Sequence, residues 1–165
     1  SFYGKTKLEG EIAVMNSGLR NLIIRTDQPY GWKKKWHHTN SVLRVLDYLE
    51  RDKILKEISD WYNTPTFVDD FITATTKLID KQETGIFHVV GSDFLNRYDS
   101  AVLIAEVFKL ENKLLKQINS SELKLPAKRS NVNLSNKKLF QETGIRMLGF
   151  KDGLTKMLED KKIWE

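Results

Sequence analysis

Cysteine is absent from the 165-residue sequence, which excludes disulfide bonds, thiolate metal ligands and thiol catalysis. No apolar run approaches the roughly 20 residues that a membrane-spanning helix needs. Residues 3–11 are charged where a secretory signal peptide would be apolar, so no leader is predicted. These absences are consistent with a cytoplasmic protein that has no membrane segment.

The chain is basic, with a formal net charge of +5 and a pI of about 9.3. This charge favours phosphate-bearing partners, although interspersed lysine and glutamate are also typical of a solvated surface. The densest basic run is Lys33–Lys35, flanked by Trp32 and Trp36. One short run without an RNA-binding motif does not predict a nucleic-acid partner. His37 and His38 are adjacent and would point apart, so no metal site is predicted.

Hydrophobic periodicity alternates between helical and extended patterns along the chain. Polar loops are predicted at residues 29–40 and 121–133, and Asp69 or Asp70 is a candidate N-cap. The pattern favours an α/β fold with parallel strand pairing. The predicted helices cover residues 3–15, 42–49, 69–79, 98–108, 135–143 and 151–160, and the predicted strands cover 21–26, 54–58, 86–90 and 114–118.

The sequence begins inside a predicted helix, and no predicted strand precedes it. A parallel sheet normally has helices on both faces and crossover partners for its strands. We therefore expect one edge of the sheet to be uncovered, as in a truncated domain.

The first predicted helix carries a Tyr-x-x-x-Lys pair, Tyr3 and Lys7. Residues four apart share one helix face, and an ammonium beside a phenol favours the phenolate form. Such a phenol can pass a proton to a substrate oxygen while hydride moves at carbon. Tyr30 and Lys34 have the same spacing, but they lie in a predicted loop, where that spacing does not bring the side chains together. Context, not spacing, therefore favours Tyr3 and Lys7.

Several ordered segments together resemble the dTDP-4-dehydrorhamnose reductase branch of the extended short-chain dehydrogenases. The resemblance covers nearly the whole chain and raises Tyr3 and Lys7 to the expected catalytic pair. It is carried by Tyr3–Glu11, by Asn21–Gly31 with its Arg-Thr-x-x-x-Tyr-Gly ending, by the turn Thr64–Asp70, by the strand Gly85–Gly91, by Arg97-Tyr98 with the helix after it, and by Leu125–Arg129 with the segment that follows.

The resemblance implies an α/β fold that is the C-terminal part of a Rossmann-type extended short-chain dehydrogenase, with a small substrate-binding subdomain. Residues 1–31 would end the dinucleotide-binding domain, and residues 32–165 would mainly bind substrate. The implied reaction is NAD(P)H-dependent reduction of a nucleotide-diphosphate 4-keto sugar. The resemblance also makes a homodimer possible.

Residue roles are also implied by the resemblance. Tyr3 would be the general acid, and Lys7 would hold the nicotinamide ribose and keep the tyrosine acidic. The other implied contacts are Tyr30 and Gly31 with the cofactor, and Asp27, Gln28, Thr66, Arg97, Lys128 and Arg129 with the substrate. For Lys128 and Arg129, a purely structural role is the alternative.

The chain also departs from the family pattern. None of the nine glycines forms the Gly-x-x-Gly-x-x-Gly turn that binds pyrophosphate, so residues 1–165 alone are expected to be inactive. The serine or threonine of the catalytic set would lie upstream of Tyr3. Gln28 and its neighbours replace an aromatic residue common in relatives, and Ser130 follows Arg129 where relatives have proline. The identity of the sugar therefore stays open.

Two other functions fit the same resemblance. Regulatory subunits of methionine adenosyltransferase share the fold but serve a partner enzyme. Nucleotide-sugar epimerases and dehydratases use the same tyrosine and lysine with tightly held NAD. The presence of both Tyr3 and Lys7 argues for an enzyme.

Overall fold

A computed structural model describes residues 1–34, 36–124 and 130–161. Helices and short strands alternate along these residues, as the sequence predicts. The helices are α1 (Phe2–Met15), α2 (Ser41–Glu50), α3 (Val68–Asp80), α4 (Arg97–Val107), α5 (Lys137–Thr143) and α6 (Phe150–Glu159), with 3-10 turns at Asn112–Leu114 and Ser120–Glu122. In these described residues no helix is both long and apolar enough to span a membrane.

The strands form four separate pairs, three parallel and one antiparallel. The parallel pairs are β1 (Leu22–Arg25) with β6 (Gly85–His88), β2 (Pro29–Tyr30) with β5 (Thr66–Phe67), and β3 (Leu55–Ile58) with β8 (Leu115–Ile118). In the antiparallel pair, β4 (Tyr62–Asn63) joins β7 (Leu95–Asn96). The predicted α/β class with parallel pairing is confirmed.

One hydrophobic core lies between the β1–β6 pair and helices α3 and α5. Ala74 and Leu78 of α3 and Leu139 of α5 have no exposed surface, and they pack around Phe87 of β6. This core therefore joins β1, near the start of the sequence, to α3, β6 and α5.

A second core is built by α2, α4 and α6 around the β3–β8 pair. Val42, Val45, Leu46 and Leu49 recur at helical spacing and give α2 one fully buried face. Asn40 fixes the start of α2, because its side chain accepts a hydrogen bond from Leu43 N–H at 3.0 Å.

Helix α1 has no buried residue. Its large apolar side chains are exposed, including Phe2 at 83% and Leu8 at 52%. In the part of the chain that the structure describes, β1 pairs only with β6, so its other edge is uncovered as expected.

The start of α3 differs from the prediction. Neither Asp69 nor Asp70 is the N-cap, because the helix begins at Val68 after the extended residue Phe67. Both aspartates lie in the first turn, where the helix dipole favours negative charge. Asp70 also accepts a hydrogen bond from Leu148 N–H at 2.7 Å. The carboxylate therefore connects α3 to the segment before α6.

Gly91 lets the segment after β6 approach the turn at Pro65, and this close approach predicts that Gly91→Ala destabilises the fold. A Cβ atom at position 91 would overlap the carbonyl oxygen of Pro65, which is backbone and cannot rotate away. Gly91→Ala should therefore lower the free energy of unfolding by about 1–3 kcal/mol in urea denaturation. Gly10→Ala is the control, since a Cβ there meets nothing within 4 Å and alanine favours the helix. Equal stability of both variants would contradict the prediction.

Candidate functional site

Tyr3 and Lys7 lie together on the exposed face of α1. The helix begins at Phe2, and Ser1 caps it by accepting a hydrogen bond from Gly4 N–H at 3.1 Å. The Lys7 ammonium lies 5.4 Å from the centroid of the Tyr3 ring, which is a cation–π geometry. Tyr3 is 71% exposed. The phenol is therefore accessible and has a cation beside its ring.

A bidentate ion pair attaches α1 to β1. Arg25 donates from Nε to Glu11 Oε1 at 2.8 Å and from Nη2 to Glu11 Oε2 at 2.6 Å. This guanidinium holds the pKa of the Glu11 carboxyl below its usual value. Tyr3 lies eight residues before Glu11, about 12 Å along the helix axis. The ion pair therefore holds the middle of α1 beside Arg25 at the end of β1.

The loop after β1 is fastened to the turn before α3. Asp27 accepts a hydrogen bond from Thr64 N–H at 2.8 Å, and its carbonyl oxygen accepts one from the Thr66 hydroxyl at 2.9 Å. Gln28 adopts a left-handed backbone conformation with φ of 43°. The structure thus brings together Asp27, Gln28 and Thr66, which the resemblance assigned to substrate. The Thr66 hydroxyl is fully buried and already bonded within the protein.

Tyr30 and Gly31 are buried, unlike Tyr3. The Tyr30 ring is 2% exposed, and its hydroxyl donates to the Phe150 carbonyl at 3.3 Å. Burial raises the pKa of Tyr30 far above its usual value. A Cβ at Gly31 would overlap Val68. Any contact from these positions to a cofactor would have to come from the backbone, since the Tyr30 side chain belongs to the core.

Gln28 and Arg97 line one small pocket that is partly open to solvent. Its wall contains Glu57, which is 3% exposed. Glu57 forms ion pairs with Arg44 and, at 3.3 Å, with Arg97 Nε. Asn63 also lines the pocket and is 3% exposed, and its buried carbonyl oxygen has no hydrogen-bond partner among the described residues.

Sequence reasoning missed Glu57, Arg44 and Asn63. Glu57 left one signal, because it occupies an inward position of β3 beside Leu55, where an apolar residue is expected. Nothing in the sequence connected Arg44 to it. The predicted substrate residues Lys128 and Arg129 lie outside the described residues. In the described ranges, no group of three or more histidine, aspartate or glutamate side chains is placed to hold a metal ion.

The buried carboxyl of Asp27 predicts a pH dependence of stability. Burial raises the pKa of Asp27 above its ordinary value of 3.8, although hydrogen bonds from the Thr64 and Gln28 N–H groups oppose this. The folded protein therefore keeps a proton there at pH values where the unfolded chain has lost it. The contribution of Asp27 to the free energy of unfolding should fall as pH rises from 3.8 through the folded-state pKa. Asp27→Asn should remove this decline in urea denaturation at a series of pH values.

Asp27→Ala is the matched comparison, because it removes the acceptor as well as the charge. Thr64 is 3% exposed, so its unpaired N–H should cost about 1–3 kcal/mol at every pH. If Asp27→Asn kept the pH slope of the unmodified chain, the slope would come from another group and the prediction would be wrong.

The short parallel strand pairs, the helices packed on them and the helix that leads into β1 define a class: the chain has the fold of a Rossmann-type extended short-chain dehydrogenase. A crystal structure of a dTDP-4-dehydrorhamnose reductase from Clostridium acetobutylicum superposes with a TM-score of 0.84 at 28% identity, and it covers 98% of this chain and 56% of its own. More specifically, residues 1–163 match the model of the RmlD substrate binding domain, and the chain belongs to that family.

The sequence relatives include regulatory-type subunits named for methionine adenosyltransferase and a reductase. Methionine adenosyltransferase 2 subunit beta of Pongo abelii is 30% identical over 98% of this chain and 51% of its own length. The dTDP-4-dehydrorhamnose reductase of Sinorhizobium fredii is 27% identical over 96% of this chain and 56% of its own. The chain thus spans about half the length of these curated relatives.

Proposed function

We propose that residues 1–165 are the substrate-binding half of a longer, cytoplasmic NAD(P)H-dependent oxidoreductase that reduces a nucleotide-diphosphate 4-keto sugar. The main support is the Tyr3–Lys7 pair, an exposed phenol beside an ammonium on one helix face. The pocket that Gln28 and Arg97 share supports a polar substrate next to the loop that follows β1. The reductases among the relatives support the substrate class.

In the proposed reaction, hydride reaches the carbonyl carbon of the sugar as the Tyr3 hydroxyl gives its proton to the carbonyl oxygen. The product is the alcohol, and the resulting phenolate takes a proton from solvent. Lys7, whose ammonium lies 5.4 Å from the centroid of the Tyr3 ring, is the cation of this proposed pair. Asp27 holds the loop against the Thr64 turn, which fixes the position of Gln28 at the pocket wall.

The cofactor would supply the hydride, and residues 1–165 offer only part of a binding site for the cofactor. Lys7 is exposed and can bind ribose hydroxyls, whereas the buried Tyr30 ring cannot reach a ligand. The glycine-rich pyrophosphate turn is absent from these residues. The proposal therefore needs a nucleotide-binding half outside residues 1–165, and a homodimer remains a separate prediction.

The test is NAD(P)H oxidation by the longer protein with dTDP-4-dehydrorhamnose, followed at 340 nm. Oxidation that depends on the keto sugar supports the proposal. Absence of both keto-sugar-dependent oxidation and cofactor binding would contradict it. Residues 1–165 alone should show no turnover, and they are the control for contaminating reductases.

A second candidate is a regulatory subunit of a methionine adenosyltransferase, favoured by the 30% identical relative. Co-purification of the longer protein with a methionine adenosyltransferase catalytic subunit, together with no reductase activity, would support this candidate. An epimerase or dehydratase would instead keep its NAD bound throughout turnover. The structural neighbours of those two types are 21% identical or less in sequence and support the fold alone.

A further inference from the structure

The loop between β2 and α2 carries an exposed tryptophan that the proposed reaction does not use. This segment, residues 32–40, is called the 32–40 loop below, and it is fixed at both ends. The Trp32 indole donates from Nε1 to the Met157 carbonyl at 2.6 Å, and Asn40 donates from Nδ2 to the Gly31 carbonyl at 2.8 Å. The base of the loop therefore belongs to the body of the fold, whereas the residues described in its middle are exposed.

Basic side chains flank the Trp36 indole, which is 75% exposed. The Lys34 ammonium lies 5.4 Å from the centroid of the indole ring, and the centroid of the His37 ring lies 5.8 Å from it. Lys33 donates from Nζ to the His37 carbonyl at 2.9 Å, and the His37 N–H donates to the Lys34 carbonyl at 3.0 Å. These bonds close a turn that holds one large apolar ring among basic groups.

The positive charge of this loop is not balanced by carboxylates. No aspartate or glutamate occurs in the sequence between Asp27 and Asp47. Among the described residues, neither Lys33 nor Lys34 forms an ion pair, and Asp47 is paired with Arg51 at 2.8 Å. The loop therefore presents uncompensated positive charge to an anionic partner.

An anionic lipid surface fits this combination better than a protein or a nucleic acid does. Tryptophan is typical of membrane–water interfaces because its ring is apolar and its N–H is polar, and lysines beside it attract lipid phosphate groups. A protein interface would surround the indole with near-neutral contacts that exclude water, but here lysines flank it. A nucleic acid would stack successive bases on several aromatic rings, whereas the second indole of the loop, Trp32, is held against Met157 and Phe108.

We propose that the 32–40 loop is a peripheral membrane-docking site, in which the Trp36 indole enters the headgroup region of an anionic bilayer and Lys33 and Lys34 contact lipid phosphate groups. The protein would lie on the bilayer without crossing it. One indole and two lysines give weak, reversible binding. The site uses none of the residues assigned to the reaction, so docking would place the protein at a membrane without taking part in the chemistry.

The test is co-sedimentation of the longer protein with vesicles of phosphatidylcholine alone or of phosphatidylcholine mixed with phosphatidylglycerol. We expect binding to the mixed vesicles only, and we expect rising salt to weaken it. The longer protein is used because the exposed apolar side chains of α1 offer a second route to lipid in the 165-residue chain. Equal binding to both kinds of vesicle would overturn the proposal.

Two variants assign the binding to the loop. Trp36→Ala should weaken binding to the mixed vesicles about 10- to 100-fold, the usual value of transferring one large apolar side chain out of water. Lys34→Gln should weaken it about 5-fold, the usual value of one lysine near an anionic surface. Lys77→Gln is the control for charge and should bind like the unmodified protein, because Lys77 is exposed on α3, which packs on the other hydrophobic core.

Insertion of the indole is measured separately from binding. Bromine atoms on the lipid acyl chains should quench part of the tryptophan emission of the unmodified protein, and that part should be missing in Trp36→Phe. Because Trp36 is exposed, neither Trp36→Ala nor Trp36→Phe should change the urea midpoint of unfolding. A loss of vesicle binding in these variants is then not a loss of structure.

The remaining outcomes also decide the proposal. If Trp36→Ala and Lys34→Gln bind the mixed vesicles as well as Lys77→Gln does, the loop is not the docking site and the proposal is wrong. If the protein binds a thymidine oligonucleotide more tightly than the vesicles, with the same loss in Trp36→Ala, the surface is a nucleic-acid site and the lipid proposal is wrong. Neither outcome bears on the proposed function, because keto-sugar reduction is measured without vesicles.

Discussion

Tyr3→Phe is expected to lower kcat for keto-sugar reduction by the longer protein about 10²- to 10⁴-fold, the usual contribution of one positioned proton donor. Phenylalanine keeps the ring beneath the Lys7 ammonium and removes only the hydroxyl. Because Tyr3 is 71% exposed, the free energy of unfolding should change by less than about 0.5 kcal/mol. Stopped-flow measurement of NAD(P)H oxidation under single-turnover conditions isolates the chemical step.

Tyr30→Phe is the matched control, because Tyr30 also stands four residues before a lysine. Its hydroxyl donates to the Phe150 carbonyl inside the core. Its loss should cost about 1 kcal/mol of stability and leave kcat close to that of the unmodified protein. Equal loss of kcat in both variants would mean that the effect is structural. Unchanged kcat in Tyr3→Phe would remove Tyr3 from the mechanism.

Lys7→Gln extends the test to the cofactor side of the reaction. The ammonium lies over the Tyr3 ring and is exposed. If Lys7 serves both roles that the resemblance implies, its loss should raise KM for NAD(P)H and lower kcat together. A change in kcat alone would limit Lys7 to stabilising the phenolate.

The second large expected effect is a loss of stability when the charge of Glu57 is removed. Glu57→Gln should lower the free energy of unfolding by about 3 kcal/mol, the lower end of the range for removing one partner of a buried ion pair. The lower end applies because the Arg44 and Arg97 side chains are 32% and 18% exposed, so solvent partly compensates them. The two guanidinium groups would then face each other without the carboxylate between them. Urea denaturation of the 165-residue chain measures the difference.

Glu106→Gln is the control for Glu57→Gln. Glu106 forms its ion pair with Lys151 at 3.8 Å, and both side chains are more than half exposed. An exposed pair of this kind contributes at most about 1 kcal/mol. If both glutamate variants lost the same stability, burial of Glu57 would not be the cause and the prediction would be wrong.

Local sequence patterns determined most of the secondary structure. The apolar spacing in α2 predicts that helix, and the structure agrees, whereas the Asn40 cap was not predicted. The Gly85–Val90 run predicts β6 in the same way. The two-residue strands β2, β4, β5 and β7 were missed, because a pair of residues has no measurable period.

The candidate site, like the secondary structure, was only partly predictable from local sequence patterns. Spacing alone could not separate Tyr3 from Tyr30, and only the structure shows that their exposures differ, at 71% and 2%. The resemblance to a family ranked Tyr3 first because an ordered series of segments carries more information than one pair of residues. Asp27 and Gln28 were placed in the site by the same resemblance, without any indication that Thr64 and Thr66 fasten their loop.

The sequence by itself determined the α/β class and the order of the longer helices and strands, because each of these elements is specified by residues within a few turns or one strand of each other. It also made Tyr3 and Lys7 the candidate pair, which stays a prediction. Only the tertiary structure decided that Glu57 joins Arg44 to Arg97 and that Gln28 and Arg97 share a pocket. These contacts connect residues 13 to 69 positions apart, and no local pattern constrains such pairs. They form because packing α2 and α4 on β3 buries the Glu57 carboxylate, and a buried charge needs opposite charges beside it.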